Sequence, residues 1–460
     1  MLSKDTKPVG WSLTGVKTLT AGPLSARDPG LDAHNLDAGF AACPKTVAEV
    51  QAIVRWCATH STPLVTQGGR TGLAGGAAST IGQVILMTER LNAIREIDAP
   101  AKIAVVDAGV TLSTLEEAVA PHGLTVGIDI AARGSCTIGG MVATNAGGGE
   151  AFRNGVMRQR VLGLEAVMPD GALFSDLKKV IKSNEGYDIK QLLIGSEGTL
   201  GVVTGVVLKL EQATHTRKTV LAAADDTASA LLCFERLRKR FGDRLLAAEI
   251  MLDDYFQTTS QALGVADRFA HLKASVYFLA EVDDSTEGDE AFQDTLAESI
   301  EAGDINNAII AKNEQERRAI WQVREDSFLI DKCHPGGCWF DISVPLGALD
   351  RYIRDSITRI TALNPDLRLF IMGHLGDGNL HYTVAGPEPV EHLYDDIADA
   401  LYKGLSAIGG SFSAEHGIGR EKHASLFKHG NATKLSLMRT IKRAVDPKNI
   451  MNPGKVISPE

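Results

Sequence analysis

The chain has 460 residues, 44% of them hydrophobic and 23% charged, the balance of a globular protein of about two or three domains. A net charge of -10 excludes a general nucleic-acid binder, which presents a basic surface. No run reaches the roughly 18 apolar residues of a membrane helix, and the opening MLSKDTKPVGWSL lacks the basic-then-apolar order of a secretory signal, so a cytoplasmic location is expected.

In chain order, Thr46 and Glu49 have the spacing of a capping box, and Val47, Val50, Ile53, Val54 and Cys57 follow at helical intervals, which predicts a helix. Pro63–Thr66 reads as a short strand running into glycine-rich chain. Ser113 and Glu116 predict a second capped helix that ends near His122-Gly123, where glycine suits the C-cap. Val202–Leu210 is a β-branched run typical of a buried strand. Beyond about 215 glycine thins out. Helices are expected over Thr227–Phe241 and Glu314–Leu329, and strands over Ser275–Val282 and Leu367–Met372. Asp284–Asp304 is acidic and reads as a solvated helical face. The layout implied is a ligand-binding domain, an α+β domain and a C-terminal return.

The six cysteines (Cys43, Cys57, Cys136, Cys233, Cys333 and Cys338) are too few and too scattered for a disulfide framework. Cys333 and Cys338 flank His334, but this spacing is looser than that of zinc knuckles and no second pair exists. Reduced, mostly packed thiols are expected.

The 46 glycines concentrate in three stretches. The first, Gln67–Gly76, follows the short strand; its unobstructed amides, with Arg70 and Thr71, suit a bound pyrophosphate. It matches neither G-x-G-x-x-G nor the P-loop. The second, Gly134–Gly149, carries Thr144 and Asn145, and the third is Gly195–Val203. Three loops about 60 residues apart imply one extended ligand touched by backbone in several places.

These segments resemble the flavin-binding domain of the vanillyl-alcohol-oxidase superfamily, the PCMH-type FAD domain. The resemblance implies an α+β chain: a two-subdomain FAD-binding domain (1–214), an α+β substrate or cap domain (215–410), and a helical C-terminal segment (411–460) returning to the flavin. It implies FAD, with pyrophosphate on Gly68, Gly69, Arg70, Thr71 and Gly72. The flavin ring would lie near Gly139, Gly140, Thr144 and Asn145, and the adenine side near Glu197, Gly198 and Val203. The first loop lacks the histidine through which some relatives anchor the flavin, so non-covalent FAD is expected.

Five of the 12 histidines fall between 374 and 423. His374 and His381 in GHLGDGNLH, with Glu415 in SAEHGIGREK, would make a set of two imidazoles and a carboxylate, which leaves coordination sites open as catalytic metals require. His416 suits a general base at neutral pH. Asn379 can bond a carboxylate or hydroxyl without adding charge.

The paired motifs, with the closing DPKNIMNPGK, resemble the D-2-hydroxy-acid dehydrogenase branch of the FAD family. That resemblance implies His374, His381 and Glu415 as metal ligands, with zinc ahead of manganese or iron. It implies His416 as base, Asn379 as a substrate contact and Arg324 as the clamp on the substrate carboxylate. Asn452 in the closing motif joins the cofactor-binding residues. The reaction implied is oxidation of a D-2-hydroxy acid to the 2-oxo acid, with the C2 hydride passing to flavin N5. A second redox carrier (electron-transferring flavoprotein, a quinone or a cytochrome) would take the electrons. A homodimer fits the reading, although no sequence feature points to one.

Relatives acting on 2-hydroxyglutarate carry polar and basic residues after the arginine. Here Asp326, Ser327, Phe328 and Trp339 stand at those places, which favours a monocarboxylate such as D-lactate, with His334 left as the one candidate for a second cation. D-2-hydroxyglutarate dehydrogenase and the flavoprotein subunit of a glycolate-type oxidase are the alternatives. Oxidation of phenols or sugars, NADPH-linked reduction and ether-lipid synthesis fit the paired histidines less well, and a non-catalytic subunit has no use for them.

Overall fold

The structure, a computed structural model, describes residues 7–214, 216–283 and 289–458. The first six residues lie outside it, as do 284–288 of the acidic segment; the rest of that segment includes the helix Asp289–Glu301. The chain forms two compact units, one of residues 1–148, 154–213 and 415–460, the other of 149–153 and 214–414.

The first unit opens with β1 (Lys17–Thr20), β2 (Phe40–Cys43), β3 (Leu64–Gln67) and β4 (Val84–Met87), ordered β1-β2-β4-β3. β2 and β3 both run parallel to β4, and the helix Val47–His60 makes the crossover that parallel strands need. Its start follows the sequence expectation in part. Thr46 Oγ1 accepts from the Glu49 amide at 3.2 Å, but the Glu49 carboxylate accepts from the Lys45 amide, one residue outside the capping box. The helix buries Val50, Ile53, Val54 and Cys57 against a core shared with Leu64, Leu86, Ile450 and Met451. Leu64 donates to the Ile450 carbonyl at 2.7 Å and Asn452 donates to the Leu64 carbonyl at 2.8 Å, so the last segment of the chain pairs along β3.

Seven further strands follow: β5 (Ile94–Asp98), β6 (Ile103–Asp107), β7 (Leu124–Thr125), β8 (Val161–Val167), β9 (Leu173–Asp176), β10 (Val202–Lys209) and β11 (Glu211–Gln212). Five build an antiparallel sheet, β5-β6-β10-β8-β9, and β7 pairs with β11. The expected strand at 202–210 is its centre, buried almost throughout. The helix expected from Ser113 begins instead at Leu112, because Thr111 caps it by accepting from the Thr114 amide. Glu116 is thereby released to accept from Thr125 Oγ1 at 3.0 Å and the Val126 amide at 2.9 Å. The turn closes at Gly123 with φ +67°, the left-handed conformation expected there.

The second unit is built on one seven-stranded antiparallel sheet of β12 (Arg217–Ala224), β13 (Leu245–Leu252), β14 (Val276–Asp283), β15 (Asn307–Ile310), β16 (Cys338–Ser343), β17 (Arg368–His374) and β18 (Asn379–Ala385). Its order is β15-β12-β14-β13-β17-β18-β16. Alternate residues feed two cores, as the pleat dictates. One face packs Phe278, Ile371 and Tyr382 under the helices Thr227–Phe241, Leu349–Leu363 and Tyr394–Tyr402. The other packs Met251, Tyr277 and Phe370 under Asp253–Ala262 and Glu314–Glu325.

The helix expected over Glu314–Leu329 stops at Glu325, and a short helix, Phe328–Cys333, follows. The Tyr255 hydroxyl donates to the Arg324 carbonyl at 3.0 Å, taking the acceptor that the amide of residue 328 would use in a continuous helix.

Candidate active site

The first unit gathers the three glycine loops. A Cβ on Gly68 would overlap Thr137 Oγ1, and one on Gly69 would overlap the Ser135 carbonyl oxygen, so the first loop lies directly on the second. Thr137 caps the helix Ile138–Thr144 by accepting from the Gly140 amide. Gly139 donates to the Ala108 carbonyl at 2.8 Å with no room for a side chain. The third loop binds the end of the same helix: Gly195 donates to Val142 and Glu197 to Ala143, at 3.0 and 2.8 Å. Asn452 joins first and third loops, donating from Nδ2 to the carbonyls of Gly76 and Glu197 at 2.9 and 2.8 Å.

Several of the expected side chains hold protein groups. Arg70 has φ +58° and its Nε donates to the Asp28 carbonyl. Thr144 Oγ1 bonds back to the Gly140 carbonyl, and Asn145 Oδ1 accepts from the Arg158 amide. Val203 is buried in the sheet core. Thr71, Gly72 and Gly198 fall within the loops themselves, and open space faces Gly72.

Glu197, buried and at φ +52°, accepts from the amides of Ile418 and Gly419 at 2.7 and 2.9 Å. Burial raises its pKa above the ordinary glutamate value against the pull of those amides. It ties the loops to the segment that begins with Glu415 and His416, and Glu415 Oε1 itself accepts from the Gly148 amide at 2.6 Å.

In the second unit, β17 and β18 carry the histidine motif. The loop between them is tight: Gly378 sits at φ +75° against the Val344 carbonyl, and Gly373 abuts the Asn379 carbonyl. Cross-strand register pairs Glu249 with His374, His374 with Asn379, and Asp341 with His381. Directly opposed residues share a face and positions two apart repeat it, so Glu249, His374, Asn379, His381 and Asp341 form one row. The two imidazoles lie edge to face with centroids 5.5 Å apart.

The row's acids were not evident from motif spacing. Glu249 is wholly buried. Its Oε1 lies 2.8 Å from His374 Nδ1, and its Oε2 lies 2.8 Å from Arg324 Nε and 2.7 Å from Arg324 Nη2. Burial opposes its charge, but Arg324 and His374 together outweigh burial and lower its pKa. Arg324, the expected substrate clamp, thus spends two of its three nitrogens on Glu249. Asp341, equally buried, accepts from Asn379 Nδ2 at 2.9 Å and from the Ala414 amide at 3.0 Å, and lies 3.6 Å from His381 Nδ1. Asn379 Nδ2 also donates to the Ile342 carbonyl. With its amide so oriented, its buried Oδ1 has no hydrogen-bond partner among the described residues.

Trp339 stands two residues before Asp341, on the same sheet face, and packs with Phe328 at a centroid distance of 5.2 Å. The nearby His334 ring tilts over Phe370. Burial, aided by Arg368, lowers its pKa, which disfavours a second cation there.

Comparison with known proteins accounts for both halves. Residues 38–176 match the family model "FAD binding domain", and residues 214–456 match "FAD linked oxidases, C-terminal domain". The chain is 34% identical over 422 residues to a D-2-hydroxyglutarate dehydrogenase of Xanthomonas citri, covering 90% of this chain and 88% of the relative. It is 31% identical over 460 residues to a Schizosaccharomyces pombe mitochondrial protein that carries a provisional D-lactate dehydrogenase name, covering 96% and 87%. Among solved structures, p-cresol methylhydroxylase with substrate bound shares the fold, with a TM-score of 0.71 at 18% identity over 91% of this chain and 89% of that one. The chain belongs to the FAD-linked oxidase family. Its first unit fits FAD on its own terms: open space at Gly72 in the first loop, and buried oxygens Gln67 Oε1 and Asn452 Oδ1 without protein partners among the described residues, are what a polar dinucleotide would fill and satisfy. No helix among the described residues is long and apolar enough to cross a membrane.

Proposed function

We propose that this chain is an FAD-dependent dehydrogenase that oxidises a D-2-hydroxy acid to the 2-oxo acid. The observation that carries the reading is the row Glu249, His374, Asn379, His381 and Asp341 with Arg324 beside it. It offers imidazoles, a neutral amide and a guanidinium, the groups a small hydroxy acid calls for, in a chain whose family binds FAD.

FAD, held by the three glycine loops and Asn452, supplies a two-electron acceptor for the substrate's C2 hydride. A divalent cation, zinc ahead of manganese or iron, held by His374 and His381 with Glu415 as third ligand, supplies Lewis acidity to the 2-hydroxyl. The donor set of two imidazoles and a carboxylate supports this choice. His416 takes the hydroxyl proton on an imidazole nitrogen, the kind of group that serves as a general base. Arg324 binds the substrate carboxylate through Nη1, the nitrogen Glu249 does not hold. Asn379 accepts from the hydroxyl through Oδ1, because its Nδ2 is already committed to Asp341 and Ile342. The two contacts fix which face of C2 is presented, the entropic share of the catalysis.

The Phe328–Trp339 pair and the lowered pKa of His334 favour a monocarboxylate such as D-lactate over D-2-hydroxyglutarate, for which the names of several relatives speak. The reading includes a separate electron acceptor, flavoprotein, quinone or cytochrome, and a cytoplasmic, homodimeric enzyme. An anaerobic titration of the flavin absorbance with both acids tests it. Bleaching by D-lactate alone is expected; bleaching by D-2-hydroxyglutarate alone removes the substrate preference, and no bleaching by either removes the activity.

A further inference from the structure

Glu249 touches both halves of the proposed chemistry, His374 of the cation site and the substrate clamp Arg324. It rises from β13, directly opposite His374 on β17, and spends a different oxygen on each neighbour: Oε1 on His374 Nδ1, Oε2 on Arg324. An ionised carboxylate only accepts, so the 2.8 Å contact requires the proton on Nδ1. Arg324 Nη2 also stands 3.4 Å from Nδ1, but it already serves Glu249 Oε2 at 2.7 Å, so the shorter carboxylate contact decides the tautomer. In the neutral ring the lone pair is therefore on Nε2. Such carboxylate–imidazole pairs orient metal-ligating histidines and raise their basicity. On its other side, Glu249 engages Nε and Nη2 of Arg324 and leaves Nη1 outside the ion pair.

We propose that Glu249 is a positioning residue that couples the cation site to the substrate clamp. It fixes the tautomer and plane of His374 so that Nε2 is the ligating nitrogen, and it holds the Arg324 guanidinium with Nη1 toward the substrate carboxylate. Glu249 touches neither cation nor substrate; it acts through both neighbours at once. The inference rests on the proposed function but adds to it the link between its two parts.

The test measures zinc binding to the FAD-loaded protein by competition with a chromogenic chelator, with Zn2+ alone as the probe. Glu249→Gln removes the charge at nearly constant volume, and zinc should bind about 10- to 100-fold more weakly. FAD content should be unchanged, and KM for the hydroxy acid should rise more than kcat falls. A merely structural role would move stability and leave zinc affinity alone; unchanged affinity in a folded variant overturns the proposal. Should the single variant fail to fold because it strands a buried arginine, Glu249→Met combined with Arg324→Met removes that mismatch and the same zinc criterion applies.

If the wild-type protein binds no zinc, the metal part of the proposed function fails, and the positioning role is read separately. With 15N-labelled histidine, a His374 ring protonated at Nδ1 sustains it, and one protonated at Nε2 overturns it.

Discussion

Asn452 donates from Nδ2 to the carbonyl of Glu197 at 2.8 Å, across 255 residues of chain. The same nitrogen reaches the Gly76 carbonyl, so one side chain ties the first and third glycine loops. Asn452→Ala strands two buried acceptors, a loss of roughly 1–3 kcal/mol. FAD should dissociate about 10-fold faster or more, read from the recovery of flavin fluorescence on dilution, with the second unit's fold unchanged by circular dichroism.

The glycines of the first loop are not equivalent. Gly69→Ala drives a methyl into the Ser135 carbonyl, whereas Gly72→Ala meets open space. Overpacking of this kind costs about 1–3 kcal/mol. The first variant should purify with little flavin and a lowered Tm. The second should keep the wild-type Tm; wild-type flavin occupancy in Gly69→Ala would show that contact between the loops does not shape the site.

Glu281 accounts for the placement of the helix that carries Arg324. Wholly buried on β14, it accepts from Arg217, Arg317, Thr219 and Trp321. Burial opposes its ionisation, but the two arginines outweigh burial and lower its pKa. Because the folded value lies below the unfolded one, about 4.3, its contribution is complete at neutral pH. It fades as pH falls below about 4 and through the folded value. Glu281→Leu strands two arginines and should cost about 3–5 kcal/mol near pH 7. Its Tm deficit against wild type should shrink in acid, below about pH 4, as seen by calorimetry across pH 3–7. A deficit independent of pH would assign the loss to packing alone.

Which of these elements could be read from residue spacing follows from how far apart their causes lie. The helix after Thr46 and the strand at Val202 rest on neighbours within one turn or one strand, and both formed where the pattern put them. The cap on the next helix moved from Ser113 to Thr111 because two hydroxyl residues compete for one role. The break after Glu325 came from Tyr255, 69 residues upstream, and no local signal announces it. The histidine motif stood out through its glycines. Glu249 and Asp341 did not, because what gives each its place is a strand register to His374, 125 residues away, and to His381 on the neighbouring strand.

Phe328→Arg tests the substrate preference directly. Phe328 is 46% exposed, so the exchange should be tolerated. An exposed ion pair is worth about 0.2–1 kcal/mol, which corresponds to a gain of up to about fivefold in kcat/KM for D-2-hydroxyglutarate relative to D-lactate. Steady-state assays with an artificial electron acceptor read that ratio, and no change would place the distal carboxylate elsewhere.

The pairing of Leu64 with Ile450 and Asn452 joins β3 to a segment nearly four hundred residues further along the chain. The hydrogen bonds of Leu64 on this side of β3 go to a stretch that is synthesised only after the second unit. Until that segment exists, the first sheet lacks this pairing and the glycine loops lack their tie. A chain cut before residue 450 lacks the partners of Leu64 and the side chain that joins the first and third glycine loops.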